Sequence, residues 1–528
     1  MALLTNENHG KVLFFDFRGK AGELMKLRTL IEGLEPKGIL GSISGDVYGI
    51  ACHSKQTRPG FLFVAIRGYS QNGHDFISEA INRGAKVVMA ESIPPKTAGV
   101  TWIQVDDSRK ALARISAKFF DDPSLQLKVV GITGTNGKTT TTYLLESIFR
   151  QANYTPGVIG TINYRFGNRI IPASTTTPES LEIQKLLAQM VKERVSHVVI
   201  EVSSHALDQN RVEGVHFDVG VFTNLSSEHL DYHGTIEKYA QSKTKLFSHF
   251  MEKSEFSGLK FAVLNQDDQH TKYLQSVTTA QIIRYGMEAN VDITVEDERI
   301  SDRGISGLLK TPKGDIQFHT SLLGRFNLYN IMAAAGVAYA LDIPLECFCS
   351  GVESLTTVPG RMERVGKGTD FTILVDYAHT PDALEKALDS IRELTPKRII
   401  VVFGCGGERD KSKRPLMGKI AALLSEVVII TSDNPRSERP EQIISEIEEG
   451  IRETEIPKKS SALFDGGKGY ITIADRKEAI KSALNMAQRG DVVLVAGKGH
   501  EGYQDSGKQR IAFDDREKIE EALQEEML

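Results

Sequence analysis

The chain has 528 residues, a formal net charge of −5 and 40% hydrophobic residues. That length is too great for one hydrophobic core and predicts two to four domains. The small charge excludes a global basic field of the kind that holds nucleic acid, and no apolar run reaches the roughly 18 residues that span a bilayer, so membrane insertion is not expected.

Val12-Leu13-Phe14-Phe15 is cut short by Asp16 and Arg18, so the start does not read as a secretory signal. Met25-Lys26-Leu27 offers an alternative start, and residues 1–24 read as an extension without a catalytic role. An N-terminal α/β domain is expected over 1–107, with strands near 61–66 and 85–90 and a short helix over 77–83. Asp106-Asp107-Ser108-Arg109 should cap a helix running to Phe120.

A central domain is expected over 108–357. Val129-Val130-Gly131-Ile132 reads as a buried strand, and Gly134-Thr135-Asn136-Gly137 as a glycine turn. Lys138-Thr139-Thr140 then opens a helix with apolar Tyr143, Leu144, Leu145, Ile148 and Phe149. Strand, glycine loop and helix N-terminus together hold phosphates: backbone N–H groups approach the oxygens, and the helix dipole favours negative charge. Lys138 would reach the β- and γ-phosphates of a nucleotide, and the Thr139 hydroxyl would face Mg²⁺. The common G-x-x-x-x-G-K-[ST] pattern would start at Ile132, so this loop is a variant.

Strands near 197–200 and 219–223 follow, with helices between. Glu201 and His229 then lie just beyond neighbouring strands and suit Mg²⁺ beside nucleotide phosphates. Each could instead be structural, as a helix-capping carboxylate or a satisfied core imidazole. Residues 261–322 carry short strand signals expected to cover one sheet edge, before a helix over 328–341.

A third domain is expected over 358–528, a doubly wound α/β unit. Its strands fall near 371–375, 398–403, 426–431 and 491–496, and its helices near 383–394, 413–424, 441–454 and 476–489. Gly466-Gly467-Lys468-Gly469 reads as a loop tip. The four cysteines, Cys52, Cys347, Cys349 and Cys405, form no C-x-x-C pair and suit a reducing cytoplasm.

G-T-N-G-K-T-T, E-V-S-S-H, N-L-S-x-x-H-L-D-Y-H, G-R-F-N-x-x-N, G-R-M-E, D-Y-A-H-T-P-D, F-G-C-G-G-x-R-D, D-N-P-R and G-K-G-H-E occur in that order. Over roughly residues 45–520 the chain resembles the Mur ligases, and among them those adding the third amino acid in peptidoglycan precursor synthesis. The resemblance implies three domains, ATP, Mg²⁺ and an acyl-phosphate route to an amide. It implies UDP-N-acetylmuramoyl-L-alanyl-D-glutamate and meso-diaminopimelate as substrates, with no nucleic acid partner, and a monomer is expected. Gly134, Thr135, Asn136, Gly137, Lys138, Thr139 and Thr140 would hold ATP, with Asn327 and Asn330 on the adenine side. Arg361 and Asp376 would close over it from the third domain. Thr139, Glu201, His229 and a carbamate formed from Lys243 and CO₂ would face the metal.

Thr175, Thr176, Thr177, Ser203, Gln209 and Arg211 match positions around the muramoyl peptide. Cys52 and Ser54 match the uridine side, followed by Tyr69, Ser70 and Gln71, although His53-Ser54-Lys55 replaces the usual D-S-R. Arg409, Asp433, Asn434, Pro435, Arg436, Gly497 and Glu501 match the amino-acid site. L-lysine stays open as the added amino acid. Folylpolyglutamate synthase shares the loop, but D-N-P-R and G-K-G-H-E speak against it. A nucleotide-switched binding protein would be expected to lack Lys138, Glu201 or Lys243, and all three are present.

Overall fold

Three largely parallel sheets organise the computed structural model, which describes residues 25–68, 71–93, 99–251, 259–366, 368–460, 467–507 and 509–527. The first sheet has the spatial order Gly38–Leu40, Thr101–Gln104, Val87–Ala90, Phe61–Val64, Gly49–Ala51. Only Gly38–Leu40 runs antiparallel to its neighbour. Asp107 caps the helix Ser108–Phe119 by accepting from Arg109 N at 2.8 Å and Lys110 N at 3.0 Å.

The central sheet has eight strands: Arg169–Pro172, Asn163–Phe166, Pro156–Ile159, His197–Glu201, Lys128–Thr133, Val219–Phe222, Phe261–Asn265 and Gln281–Tyr285, in spatial order. The last six run parallel. Both faces are covered, so the inner strands are apolar along their middles rather than alternating, while the edge strand Gln281–Tyr285 alternates. Val130 and Ile132 join one core cluster while Val129 joins the other. Lys128–Thr133 lies between His197–Glu201 and Val219–Phe222, and the chain leaves those two strands on opposite sides of it. A crevice at carboxyl ends is expected at such a switch point. The phosphate loop, Glu201 and the segment after Phe222 meet there.

The strands expected over 261–322 divide between the central sheet's edge and a sheet of their own. Phe261–Asn265 and Gln281–Tyr285 extend the central sheet itself. Thr294–Ser301, Gly304–Thr311 and Gly314–Thr320 form a separate antiparallel sheet. Its Val295, Ile305, Leu309 and Phe318 pack against the helices Phe326–Ala340 and Leu345–Ser354.

The third sheet has the order Glu363–Val365, Thr372–Asp376, Val492–Ala496, Ile399–Phe403, Val427–Ile430, Gly469–Thr472. All but Glu363–Val365 run parallel. Gly469 is therefore the start of an edge strand and not a loop tip. The preceding glycines hid it, because a strand interior rarely carries them. Gly466, Tyr69, Ser70 and residues 1–24 lie outside the described residues. Among the described residues no helix is long and apolar enough to cross a membrane.

The third sheet docks on the central one through the helix Pro381–Glu393, capped by the Thr380 hydroxyl. Asp382 Oδ2 accepts from Asn136 Nδ2 at 2.9 Å and from Ser226 Oγ at 3.0 Å. The N-terminus of that helix thus rests against the phosphate loop.

Candidate active site

Two glycines make the loop close. Gly134 has φ +145, and a Cβ there would fall 1.8 Å from Thr223 Oγ1. Gly137 has φ +88, and its Cβ would fall 2.3 Å from Asn330 Oδ1. Both positions need glycine for conformation and for room. The helix Lys138–Gln151 starts immediately after.

The loop's cations are satisfied by its own carbonyls. Lys138 Nζ donates to Gly134 O at 2.8 Å and Thr135 O at 2.7 Å. Lys243 Nζ, from the helix Ile236–Ser248, donates to the same Gly134 O at 2.8 Å. A half-buried ammonium and a buried one therefore converge on one carbonyl oxygen. Burial holds the Lys138 ammonium below its usual range, partly offset by Glu228 and Glu201. Burial, then the neighbouring Lys138, pushes Lys243 well below its usual range.

Glu201, only 1% exposed, ends its strand inside a ring of hydroxyls. Thr139 Oγ1 donates to its Oε2 at 2.9 Å and Thr161 Oγ1 at 2.8 Å, while Thr161 N donates to Oε1 at 3.1 Å. His229 sits in left-handed backbone, φ +56, its ring 4.7 Å from that of His205. Burial lowers the His229 imidazole from its ordinary value, against the pull of Glu228. Among the described residues no three His, Cys, Asp or Glu side chains converge as a ready-made metal cage.

Lys138, Thr139, Thr161, His229 and Lys243 line one cavity of about 230 Å³, whereas Glu201 stands behind Thr139 and Thr161 and does not reach it. Its other wall comes from the third sheet: Arg361, Asp376, Tyr377, Ala378 and His379. Arg361 Nη2 donates to Thr139 Oγ1 at 3.3 Å and lies 4.5 Å over the Tyr377 ring. Asp376 accepts from Met362 N at 2.7 Å and Ala378 N at 2.8 Å. It therefore also braces its own turn, as a purely structural aspartate would. Burial raises its carboxyl from the ordinary range. Asn330 reaches the cavity, whereas Asn327 stands behind it: Asn330 Nδ2 donates to Asn327 Oδ1 at 2.8 Å, and Asn327 Nδ2 to Leu323 O at 2.7 Å.

Of the muramoyl-peptide candidates, Thr176 and Ser203 line the cavity. The others form a network leading away from it. Arg211 donates to Thr177 O at 2.9 Å and to Gln209 Oε1 at 2.8 Å, and pairs with Glu179 at 3.2 Å. Arg109 also pairs with Glu179 at 3.2 Å. Thr175 Oγ1 donates to Thr177 O at 3.0 Å. Cys52 approaches the same carboxylate. Burial, reinforced by Glu179, pushes its thiol up to about 11, which makes it inert at neutral pH. Ser54 Oγ donates to Glu79 Oε2 at 2.7 Å.

The amino-acid candidates gather in the third sheet, at the carboxyl ends of Val427–Ile430 and Val492–Ala496. Asn434 Nδ2 donates to Glu501 Oε2 at 2.9 Å. Gly497, φ +111, leaves room for Asp433, since a Cβ would come 2.7 Å from Asp433 Oδ2. Arg436 follows Pro435 and takes φ +51, held by Arg436 N donating to Asp505 O at 2.9 Å. Its Nη1 donates to Gly407 O at 2.5 Å. Among the described residues, Arg409, Arg436 and Asp433 form no ion pair. Asp433 is buried nonetheless. Arg409 and Arg436 both lie beside Gly406, and two guanidinium groups and a carboxylate without ion pairs suit a zwitterionic ligand.

Sequence reasoning missed Glu228, Thr161, Tyr239, His379 and Lys386, all of which line the cavity. Glu228 stands 3.8 Å from His229 Nε2 and 3.6 Å from His379 Nε2, joining the two sheets. Its place beside His229 in a recognised motif was the available signal. Thr161 gave none, because its partner Glu201 is forty residues away.

Three family models match the chain: the Mur ligase family catalytic domain over residues 46–120, the Mur ligase middle domain over 132–338, and the Mur ligase glutamate ligase domain over 360–499. The chain belongs to the Mur ligase family. Within it, UDP-N-acetylmuramoyl-L-alanyl-D-glutamate--2,6-diaminopimelate ligase of Geobacter metallireducens is 46% identical over 504 residues, 95% of this chain and 99% of that one. The enzyme of the same name from Geobacillus kaustophilus is 45% identical over 501 residues, 95% of this chain and all of that one. A solved structure of a ligase with that name is 31% identical, covers 96% of this chain, all of that chain, and superposes with TM-score 0.68. Folylpolyglutamate synthase of Mycobacterium tuberculosis, 16% identical with TM-score 0.59 over 74% of this chain and 92% of that chain, shares the fold.

Proposed function

We propose that this chain is the ligase that adds meso-diaminopimelate to UDP-N-acetylmuramoyl-L-alanyl-D-glutamate at the expense of ATP, in peptidoglycan precursor synthesis. The observation that carries it is the shared cavity. The phosphate loop, Lys243 and Glu228 form one wall, and Arg361, Asp376 and His379 of the third sheet form the other. A carboxylate resists an amine because its charge repels the nucleophile. Transfer of the γ-phosphoryl group of ATP onto that carboxylate gives an acyl phosphate and ADP. The free amine then attacks the acyl carbon, a tetrahedral intermediate forms, and phosphate leaves with the former C–O bonding pair. The protein's task is to neutralise charge, align three partners and keep water from the acyl phosphate.

Lys138 and Arg361 supply positive charge to the transferred group. Thr176 and Ser203 face the peptide carboxylate, and the Arg211 network holds the rest of the muramoyl peptide. The donor types suit Mg²⁺ beside nucleotide phosphates: the Glu201 carboxylate and Thr139 hydroxyl are hard oxygen donors, His229 adds a borderline imidazole nitrogen, and water and phosphate oxygens would fill the rest. Mg²⁺ there would offset the charge of the nucleotide phosphates. Lys243 fits carbamate formation, since a buried amine depleted of its proton is the form that adds CO₂. The domain reading stands with this proposal: residues 1–107 toward uridine, 108–357 for ATP, 358–528 for the amino acid.

L-lysine lacks the distal carboxylate of diaminopimelate, which a guanidinium fork would bind through two parallel hydrogen bonds. Arg436 and Arg409 would be left without an anion. Arg436→Ala should therefore weaken use of diaminopimelate by about 2 kcal/mol, roughly thirtyfold in kcat/KM. Affinity for ATP and for the UDP-dipeptide should stay within about twofold, on the same electrostatic argument. Steady-state kinetics with each substrate varied in turn checks this. An unchanged kcat/KM for diaminopimelate would remove Arg436 from the site.

A further inference from the structure

Lys498 belongs to no binding or catalytic set assigned above. Its side chain is 0% exposed. Nζ donates to Asn434 Oδ1 at 3.2 Å and to Glu501 Oε2 at 3.3 Å. Both partners stand in the amino-acid site. Asp505 N donates to the same Asn434 oxygen at 2.9 Å, and Asn434 Nδ2 donates to Glu501 Oε2 at 2.9 Å. The amide of Asn434 is thereby fixed in one orientation. Glu501 uses one oxygen for both protein contacts, and its Oε1 accepts no hydrogen bond among the described residues.

A buried ammonium is costly, and an apolar side chain of similar size at such a place is often neutral or stabilising. The charge therefore calls for a role. Arg409 is exposed, and Asp505 is paired with Arg510 at 3.2 Å, so in the buried part Arg436 and Lys498 face Asp433 and Glu501. The buried Arg476–Asp515 pair beneath them, at 2.7 Å, is neutral as a pair. Without Lys498 that set would carry one excess negative charge. Diaminopimelate ready to attack, with one amine free, one ammonium and two carboxylates, carries one negative charge. Lysine in the same state carries none.

We infer that Lys498 is a positioning and specificity-determining residue for the amino acid. It acts through Asn434 and Glu501 and offsets a negative charge that would repel a substrate with two carboxylates. This inference rests on the proposed function and deepens it. A charge mismatch of one unit in a largely buried site favours the complementary ligand and penalises the other.

The test compares wild type, Lys498→Met and Lys498→Arg, each with meso-diaminopimelate and with L-lysine, at saturating ATP and UDP-dipeptide. Taking the ratio of the two amino acids within one preparation cancels the amount of folded enzyme. In Lys498→Met the KM for diaminopimelate should rise roughly tenfold with kcat within about threefold, and the preference over lysine should fall roughly tenfold. Lys498→Arg should keep the preference. Should Lys498→Met not yield folded protein, Lys498→Gln is read in the same way. Loss of kcat with an unchanged preference would reduce Lys498 to a structural residue and overturn the inference. An equal shift in Lys498→Arg and Lys498→Met would also overturn it, because charge would not be the cause. Wild type that does not use diaminopimelate would instead defeat the proposed function itself.

Discussion

Replacing Lys243 with alanine is expected to leave almost no ligase turnover, and acetate or formate in the buffer is expected to restore part of it. The residue is held with precision. Its helix is capped by the Thr235 hydroxyl, and the side chain is 1% exposed. Nζ meets Gly134 O at 2.8 Å and lies 4.4 Å from the centre of the Tyr239 ring. An ammonium there would stand beside that of Lys138, which shares the same carbonyl. Two cations so close repel in a low-dielectric site. A carbamate reverses the sign: it turns the second cation into an anionic oxygen pair able to face Lys138 and a metal ion. Alanine removes that anion and leaves a hollow that a small carboxylate can fill. Rescue by an alkylamine and not by a carboxylate would show that the missing group is a cation, and the carbamate would be abandoned. Turnover measured across a series of both additives decides between them.

Lys138→Ala is expected to lower kcat by about a hundred- to a thousandfold, the usual effect of deleting one preorganised electrostatic donor. Its ammonium lies across the loop, bound to Gly134 O and Thr135 O. Exchanging those carbonyls for phosphate oxygens needs only a side-chain movement. UDP-dipeptide binding should hardly change, because Thr176 and Ser203 come from outside the loop and the Arg211 network lies away from the cavity. Calorimetric titration of the UDP-dipeptide, beside single-turnover rates, checks both halves. Wild-type rates in Lys138→Ala would refute the phosphate-loop assignment.

Much of this was legible in the sequence because it is local. The loop announces itself: glycines at positions needing positive φ, a strand before and a helix start after. Glu201 was placed by its strand, since a residue just past a parallel strand lies at the crevice. The sequence said less where function depends on contacts between distant segments. The Thr161–Glu201 bond spans forty residues, and the Asn136–Asp382 bond spans 246. No periodicity encodes either. Asn327 and Asn330 look alike in sequence, yet one faces the cavity and the other supports it, a difference set by one helical turn. Lys498 stood inside a recognised motif, but its burial follows from the packing of Tyr503–Asp505 against the D-N-P-R turn. The left-handed φ of Arg436 was hidden too. Pro435 promised stiffness, whereas the sparsely populated backbone of Arg436 follows from its bond to Asp505.

The central claim is that the cavity joins ATP cleavage to formation of one particular amide. It is tested most directly by measuring phosphate release and nucleotide-sugar product together, with ATP, Mg²⁺ and UDP-N-acetylmuramoyl-L-alanyl-D-glutamate present, for meso-diaminopimelate and for L-lysine. The account predicts one phosphate per tripeptide product with diaminopimelate, little product with lysine, and little phosphate when either the UDP-dipeptide or the amino acid is left out. Phosphate release indifferent to the amino acid, or equal product from lysine and diaminopimelate, would contradict it.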